Sequence, residues 1–286
     1  MYQSQSFRTS HFGQSGIVLR ARGTELLSPE AIRQHAPSVF AEDKHASRSE
    51  KYTFIPTFDL FEQMAKEGFL PAEVRQGGSK DEGKLAYTKH LIRFRQRGAV
   101  PMVGGDCFPE LILINSHDGT SSYQLMSGWF RLVCSNGLVV SETAGPSIKV
   151  SHRGNVDDVI EASYKVVQEF PEQAEHIQDM RHVQLTGPEQ QAFATAAASL
   201  RFEAGQVAPA SILIPRRRED ADTSLWSTFN RAQENLVRGG IRTERIGPHG
   251  RRQRRRAREV NGISDNVRLN QALWMLAEEM RKIKTV

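Results

Sequence analysis

Cysteine is scarce in this chain of 286 residues: only Cys107 and Cys134 occur, without CxxC or Cys/His spacing. That argues against a disulfide framework or a cysteine-ligated zinc site and fits a reducing compartment. Long apolar runs are missing as well. No stretch approaches the ~20 apolar residues that span a bilayer, and Met1 to Arg22 lack the apolar centre of a signal peptide. The expectation is a cytoplasmic protein with no membrane partner. There is no internal repeat of useful length. Catalytic and metal-binding spacings are also wanting. The histidines do not cluster at ligand spacing and HExxH is absent; His176 and His182 stand six apart, about 600° around a helix axis and off a common face. Asp157-Asp158 and Glu278-Glu279 are neighbours that point apart on helices. No cofactor, metal or catalytic residue is assigned, although a catalytic site built from residues distant in sequence would leave no such spacing.

Two local patterns come close to a chemical motif and stop short. Gly78-Ser79-Lys80-Asp81-Glu82-Gly83-Lys84 has the glycine and lysine spacing of a phosphate loop. However, Leu85 stands where a magnesium-binding Ser or Thr is needed, the residues after it read as strand, and Asp81 and Glu82 would repel phosphate. It reads as a polar surface loop. Cys134 beside Ser135-Asn136-Gly137 has only Arg131 nearby to activate a thiolate, so it reads as a buried structural cysteine.

What the chain does have is an ordinary globular balance, 38% hydrophobic and 25% charged residues, and a net charge of +5. Ser28-Pro29-Glu30 starts one helix, and Thr57 reads as the cap of a second that Gly68 ends. From Lys84 to Val150 the period becomes two. Ile92 and Phe94 alternate with Arg93, Arg95 and Arg97, Glu110 to Ser116 is an apolar run, and Ser122 to Cys134 reads as a long strand. Asn136-Gly137 gives a hairpin turn, since both residues tolerate positive φ. These segments predict an antiparallel meander of four or five strands, which Ile148 to His152 can join. Beyond Gly154 the pattern is helical: Val159, Ile160, Tyr164 and Val167 form one stripe, Leu225, Trp226, Phe229 and Leu236 another, and Asp265 to Lys284 the last helix. The expected fold is α+β, an antiparallel β-meander sheet with N-terminal helices and a C-terminal helical region. Its expected parts are an arm (1–25), an α+β domain (26–154) and a helical region (155–286) with a mobile basic loop (245–262).

Arginine placement is the main functional signal. A strand presenting Arg93, Arg95 and Arg97 on one face spaces guanidinium groups roughly 7 Å apart, near the phosphate spacing of a nucleic-acid strand, with Tyr87 or Trp129 able to stack bases. A solvated face paired to nearby acids is the alternative. In the C-terminal third, Arg251, Arg252, Arg254, Arg255, Arg256 and Arg258 crowd into eight residues, following Arg216-Arg217-Arg218. Such a loop is an electrostatic funnel for a polyanion.

The segments TFIP (Thr53 to Pro56), LINSHDGT (Leu113 to Thr120), FRLVCSNGL (Phe130 to Leu138), LWSTFNRAQENLVRGG (Leu225 to Gly240) and LNQALW (Leu269 to Trp274) occur in that order. Together they resemble the phage/plasmid-like domain of unknown function 932, over most of the chain from about Leu26 onward. The resemblance implies residence on prophages, plasmids and integrative elements, without an assigned activity or catalytic residues. At the level of fold, a sheet followed by helices also resembles the core of phage single-strand annealing proteins. The resulting expectation is a non-enzymatic protein, able to form a homo-oligomer, that binds nucleic acid, single-stranded DNA first, in annealing, replication or repair. The alternative is an interaction protein that meets a host defence or replication protein.

Overall fold

A computed structural model describes residues 7–12, 16–47, 54–132, 136–139, 148–150, 156–246 and 251–285. The chain divides into two units, the first ending at Pro171 and the second beginning at Glu172. In the first, alternation of apolar residues builds one antiparallel sheet. Its strands are β1 (Phe7–Phe12), β2 (Gly16–Ala21), β3 (Phe69–Gln76), β4 (His90–Gln96), β5 (Cys107–Asn115), β6 (Tyr123–Arg131), β7 (Asn136–Val139) and β8 (Ile148–Val150). They pair in chain order from β1 to β7, and β8 lies along the other half of β6. Sequential antiparallel neighbours need only short connections, which is why the meander is favoured.

One sheet face carries Leu19, Val74, Ile92, Phe94, Leu111, Leu113 and Trp129, all buried. It packs under helices α2 (Thr57–Lys66) and α3 (Val156–Gln168), while α1 (Pro29–His35) sits beside β2. Phe61 meets Phe94 at 6.2 Å, and Trp129 meets Phe170 edge-on at 6.1 Å. Each such side chain taken from water contributes about 1.5–3 kcal/mol. Gly68 closes α2 with φ 85°, a conformation that favours glycine.

The second unit is helical. After the start of α4 (Phe170–His182) come α5 (Gly187–Ser199), α6 (Pro209–Ile212), α7 (Leu225–Arg238) and α8 (Ile263–Lys284), with a two-stranded ribbon of β9 (Arg242–Ile246) and β10 (Arg252–Arg256) between the last two helices. A capping box, Thr186 with Glu189, starts α5. The stripe on α7 packs as expected, with Trp226 stacked on Phe229 at 5.6 Å and Phe229 edge-on to Trp274 of α8 at 6.0 Å. Its polar side is buried too: Gln233 donates to Asn270 Oδ1 at 2.9 Å, and Asn235 Nδ2 donates to the carbonyls of Ile212 and Ile214. Among the described residues no helix is long and apolar enough to cross a membrane.

The α+β class and its meander stand; several local expectations change. The supposed arm contributes β1 and β2 to the sheet, and the first unit extends through α3. Residues 82–87 form a 3-10 turn, so β4 starts only at His90. Thr57 is the first residue of α2 rather than its cap, because its hydroxyl is engaged by histidines of the sheet end. Asn136 and Gly137 pair with Arg131 and Phe130, so the chain has already reversed before them. On α3 the buried stripe is Val159, Ala162, Ser163 and Val166, with Tyr164 exposed beside Glu67. Cys134 lies outside the described residues.

Candidate functional site

The strand arginines face one another across a sheet whose acids lie on neighbouring strands. Strand alternation puts Arg93 and Arg95 on the same face as Glu110 of β5 and Glu73 of β3, with Arg93 opposite Glu73. Arg93 Nε donates to Glu110 Oε2 at 2.5 Å and Arg95 donates to Oε1 at 2.6 Å, with all three side chains at most 4% exposed. Glu73 receives Arg20 and Arg75 in the same way, each at 2.5 Å. Burial alone would raise the Glu73 carboxyl, yet Arg20, Arg75 and Arg93 hold it well below the usual carboxylate range. The Arg95 guanidinium also lies over the Phe130 ring at 4.3 Å. Gly128 makes room for this arrangement, since a Cβ there would come within 2.9 Å of the Arg93 guanidinium.

This placement removes Arg93 and Arg95 from the expected nucleic-acid face, because both are buried and each bonds to Glu110 and to a backbone carbonyl within the protein. Arg97 lies beyond the end of β4 and is exposed, separated from the other two. The expected stacking partners do not join it. Trp129 is buried on the opposite sheet face, and Tyr87 belongs to the 3-10 turn before β4.

The C-terminal arginines have the opposite fate. The segment expected as a mobile loop is an antiparallel hairpin in which Arg242, Thr243, Glu244 and Arg245 pair with Arg256, Arg255, Arg254 and Gln253. Arg251, Arg252, Arg254, Arg255, Arg256 and Arg258 are all exposed, as expected, and the pairing adds exposed Arg242 and Arg245, which the sequence reading had missed. Against eight arginines from Arg242 to Arg258 stands one carboxylate, Glu244, which takes Arg254 at 3.0 Å and Arg252 at 3.9 Å. Exposed pairs of this kind hold charge only loosely.

The hairpin is set on a rigid base. Gly240 N donates to the Ala257 carbonyl at 2.8 Å, Ala257 N to Ile241 at 2.9 Å, Val260 N to Val237 at 2.8 Å and Glu244 N to Gln206 at 2.8 Å. Gly239, at φ 68°, ends α7 where the backbone of Ala257 and Arg258 approaches; a Cβ there would stand 2.5 Å from both carbonyl oxygens. Two further arginines act as braces. Arg201 donates to the carbonyls of Leu236 and Arg258, and Arg216 donates to Asn235 Oδ1 at 2.8 Å and to the Gly239 carbonyl. Arg217 is held by Glu234. Of the Arg216 to Arg218 cluster, two members therefore serve the scaffold.

A second polar centre, invisible to spacing arguments, lies in the first unit. Thr57 Oγ1 is 3.0 Å from His90 Nε2, 3.1 Å from His117 Nε2, and accepts from Asn115 Nδ2 at 3.0 Å, while Tyr123 donates to the Ile55 carbonyl at 2.6 Å. All are buried. His90 Nδ1 lies 3.3 Å from the Thr88 carbonyl, which assigns its proton there and leaves Nε2 to accept from Thr57. Burial pushes the His90 pKa down to about 4. Among the described residues no group of three or more His, Cys, Asp and Glu side chains is placed to hold a metal ion. His176 pairs with Glu278 at 3.3 Å, and His182 caps its own helix at the Gln178 carbonyl.

Residues 44–274 match the family described as a domain of unknown function, DUF932. The chain is similar to two proteins of Escherichia coli strain K12. UPF0380 protein YafZ is 43% identical over 274 residues, covering 95% of this chain and 96% of the relative; UPF0380 protein YfjQ is 42% identical over the same length and coverage. No solved structure matches.

Proposed function

This chain belongs to the DUF932 family, and within that family we propose for it a nucleic-acid-binding role carried by the β9–β10 hairpin. The supporting observation is charge held out to solvent on a fixed frame: eight exposed arginines against Glu244, on and flanking strands anchored by backbone hydrogen bonds at their base. A polyanion satisfies such a surface by neutralising charge and releasing its counterions, whatever its sequence. The sheet arginines, first candidates for the same task, serve instead to hold the sheet together through Glu73 and Glu110. The setting proposed is a phage, plasmid or integrative element, where the bound nucleic acid is replicated, annealed or repaired.

The test is a fluorescence-anisotropy titration with labelled single-stranded and double-stranded oligonucleotides at about 50 mM and 200 mM salt. The expected result is binding at the lower salt that weakens steeply at the higher. Absence of binding to either form at the lower salt contradicts the proposal.

A further inference from the structure

The two faces of the hairpin differ in chemistry. Thr243, Arg245, Gln253 and Arg255 share one face, while Arg242, Glu244, Arg252, Arg254 and Arg256 share the other. The first face has no carboxylate, and on it Arg255 donates to Gln253 Oε1 at 3.2 Å. Arginine and glutamine are the side chains that make two-point hydrogen bonds to guanine and adenine edges in the major groove of B-form DNA. Residues two apart on a strand are about 6.8 Å apart, which matches two base-pair steps of about 3.4 Å. The groove, about 12 Å wide, admits a two-stranded ribbon. By contrast, no Phe, Tyr or Trp occurs between Ile241 and Val260, so the hairpin lacks the large aromatic platforms on which single-strand binders stack successive bases.

Building on the nucleic-acid reading, we infer that the hairpin enters the major groove of duplex DNA, with Gln253 and Arg255 turned to the base edges. Arg252, Arg254 and Arg256, on the other face, are long enough to extend past the ribbon edges toward the phosphates that wall the groove. The fixed base suits this use, because Arg201, Arg216 and Gly239 hold the ribbon in place before it meets DNA. A-form RNA is disfavoured, since its major groove is too deep and narrow for side chains to read.

The experiment compares a set of labelled DNA duplexes of different sequence with their single strands and with duplex RNA, by anisotropy at about 100 mM salt. Methyl green and distamycin serve as major-groove and minor-groove competitors. The duplex DNA is expected to bind at least about tenfold tighter than either other form, and methyl green, not distamycin, to displace the protein. The double variant Gln253→Ala/Arg255→Ala is expected to lose discrimination among duplex sequences while keeping most of its salt-sensitive affinity. Equal or tighter binding of the single strand, displacement by distamycin alone, or unchanged discrimination in the double variant overturns the groove assignment and leaves nucleic-acid binding standing. Binding to none of the three overturns both.

Discussion

Arginines of the sheet and arginines of the hairpin are the same side chain in opposite electrical settings. On the sheet, Arg20 and Arg75 meet Glu73, and Arg93 and Arg95 meet Glu110; all of these but the partly exposed Arg20 are buried. On the hairpin, Arg252 and Arg254 share one half-exposed Glu244 and are themselves 79% exposed. A buried guanidinium must have its partner, because desolvation costs several kcal/mol per ion; an exposed one keeps its water and remains available to a ligand. The difference is thus one of neighbouring strands: β3 and β5 bring acids to β4, whereas β9 brings β10 one acid and two more arginines.

The largest expected effect breaks the first setting. Glu110→Ala strands two buried guanidinium groups and is expected to cost about 3–5 kcal/mol in urea unfolding. The fourfold variant Arg252→Ala/Arg254→Ala/Arg255→Ala/Arg256→Ala should stay within about 1 kcal/mol of the parent. Comparable losses in both would erase the distinction.

Acid should act on the sheet unit and spare the hairpin. The folded pKa of His90, about 4, lies below its ordinary value of 6.5. Stability from neutral His90 is therefore complete above about pH 6.5 and lost as pH falls toward 4, a change on the order of 3 kcal/mol. The cause is dielectric: His90 is fully buried, so a charged imidazolium there would give up its hydration, which outweighs the help it has from the Thr88 carbonyl and Asp118. Urea midpoints between pH 4 and 7 check this, and His90→Gln should flatten the profile.

Gly239→Ala forces a side chain into a left-handed backbone against two carbonyls. It is expected to cost about 1–3 kcal/mol and to raise amide exchange in β9 and β10 more than in the sheet. The smallest effect sharpens the hairpin's side of the comparison. Glu244→Gln removes the one carboxylate on its strands and should tighten oligonucleotide binding about two- to fivefold, read by anisotropy at low salt.

Sequence periodicity was enough to find β4 to β6, where Ile92, Phe94 and the run Leu111 to Ile114 alternate or cluster in the expected way, and to find α7 and α8 from their stripes. It failed at β3, where Pro71 sits at a bulge and Glu73 and Arg75 look solvated although both are buried. The destination of Arg93 and Arg95 was hidden for a related reason. Their partner, Glu110, opens an apolar run fifteen or more residues on, and only the pairing of β4 with β5 brings them together. Consecutive arginines show no alternation, so β10 read as a loop until β9 supplied its partner strand. Composition identified the basic segment; pairing gave it two faces.

The salt dependence of DNA binding by the fourfold hairpin variant, set beside that of the parent, tests the central claim most directly. Each phosphate contact contributes about 0.9 to the slope of log affinity against log salt. If the hairpin carries the interaction, removing these four of its arginines, three of them (Arg252, Arg254 and Arg256) turned toward phosphates, should reduce that slope by about three, with the unfolding midpoint nearly unchanged. An unchanged slope in a folded variant would contradict the account.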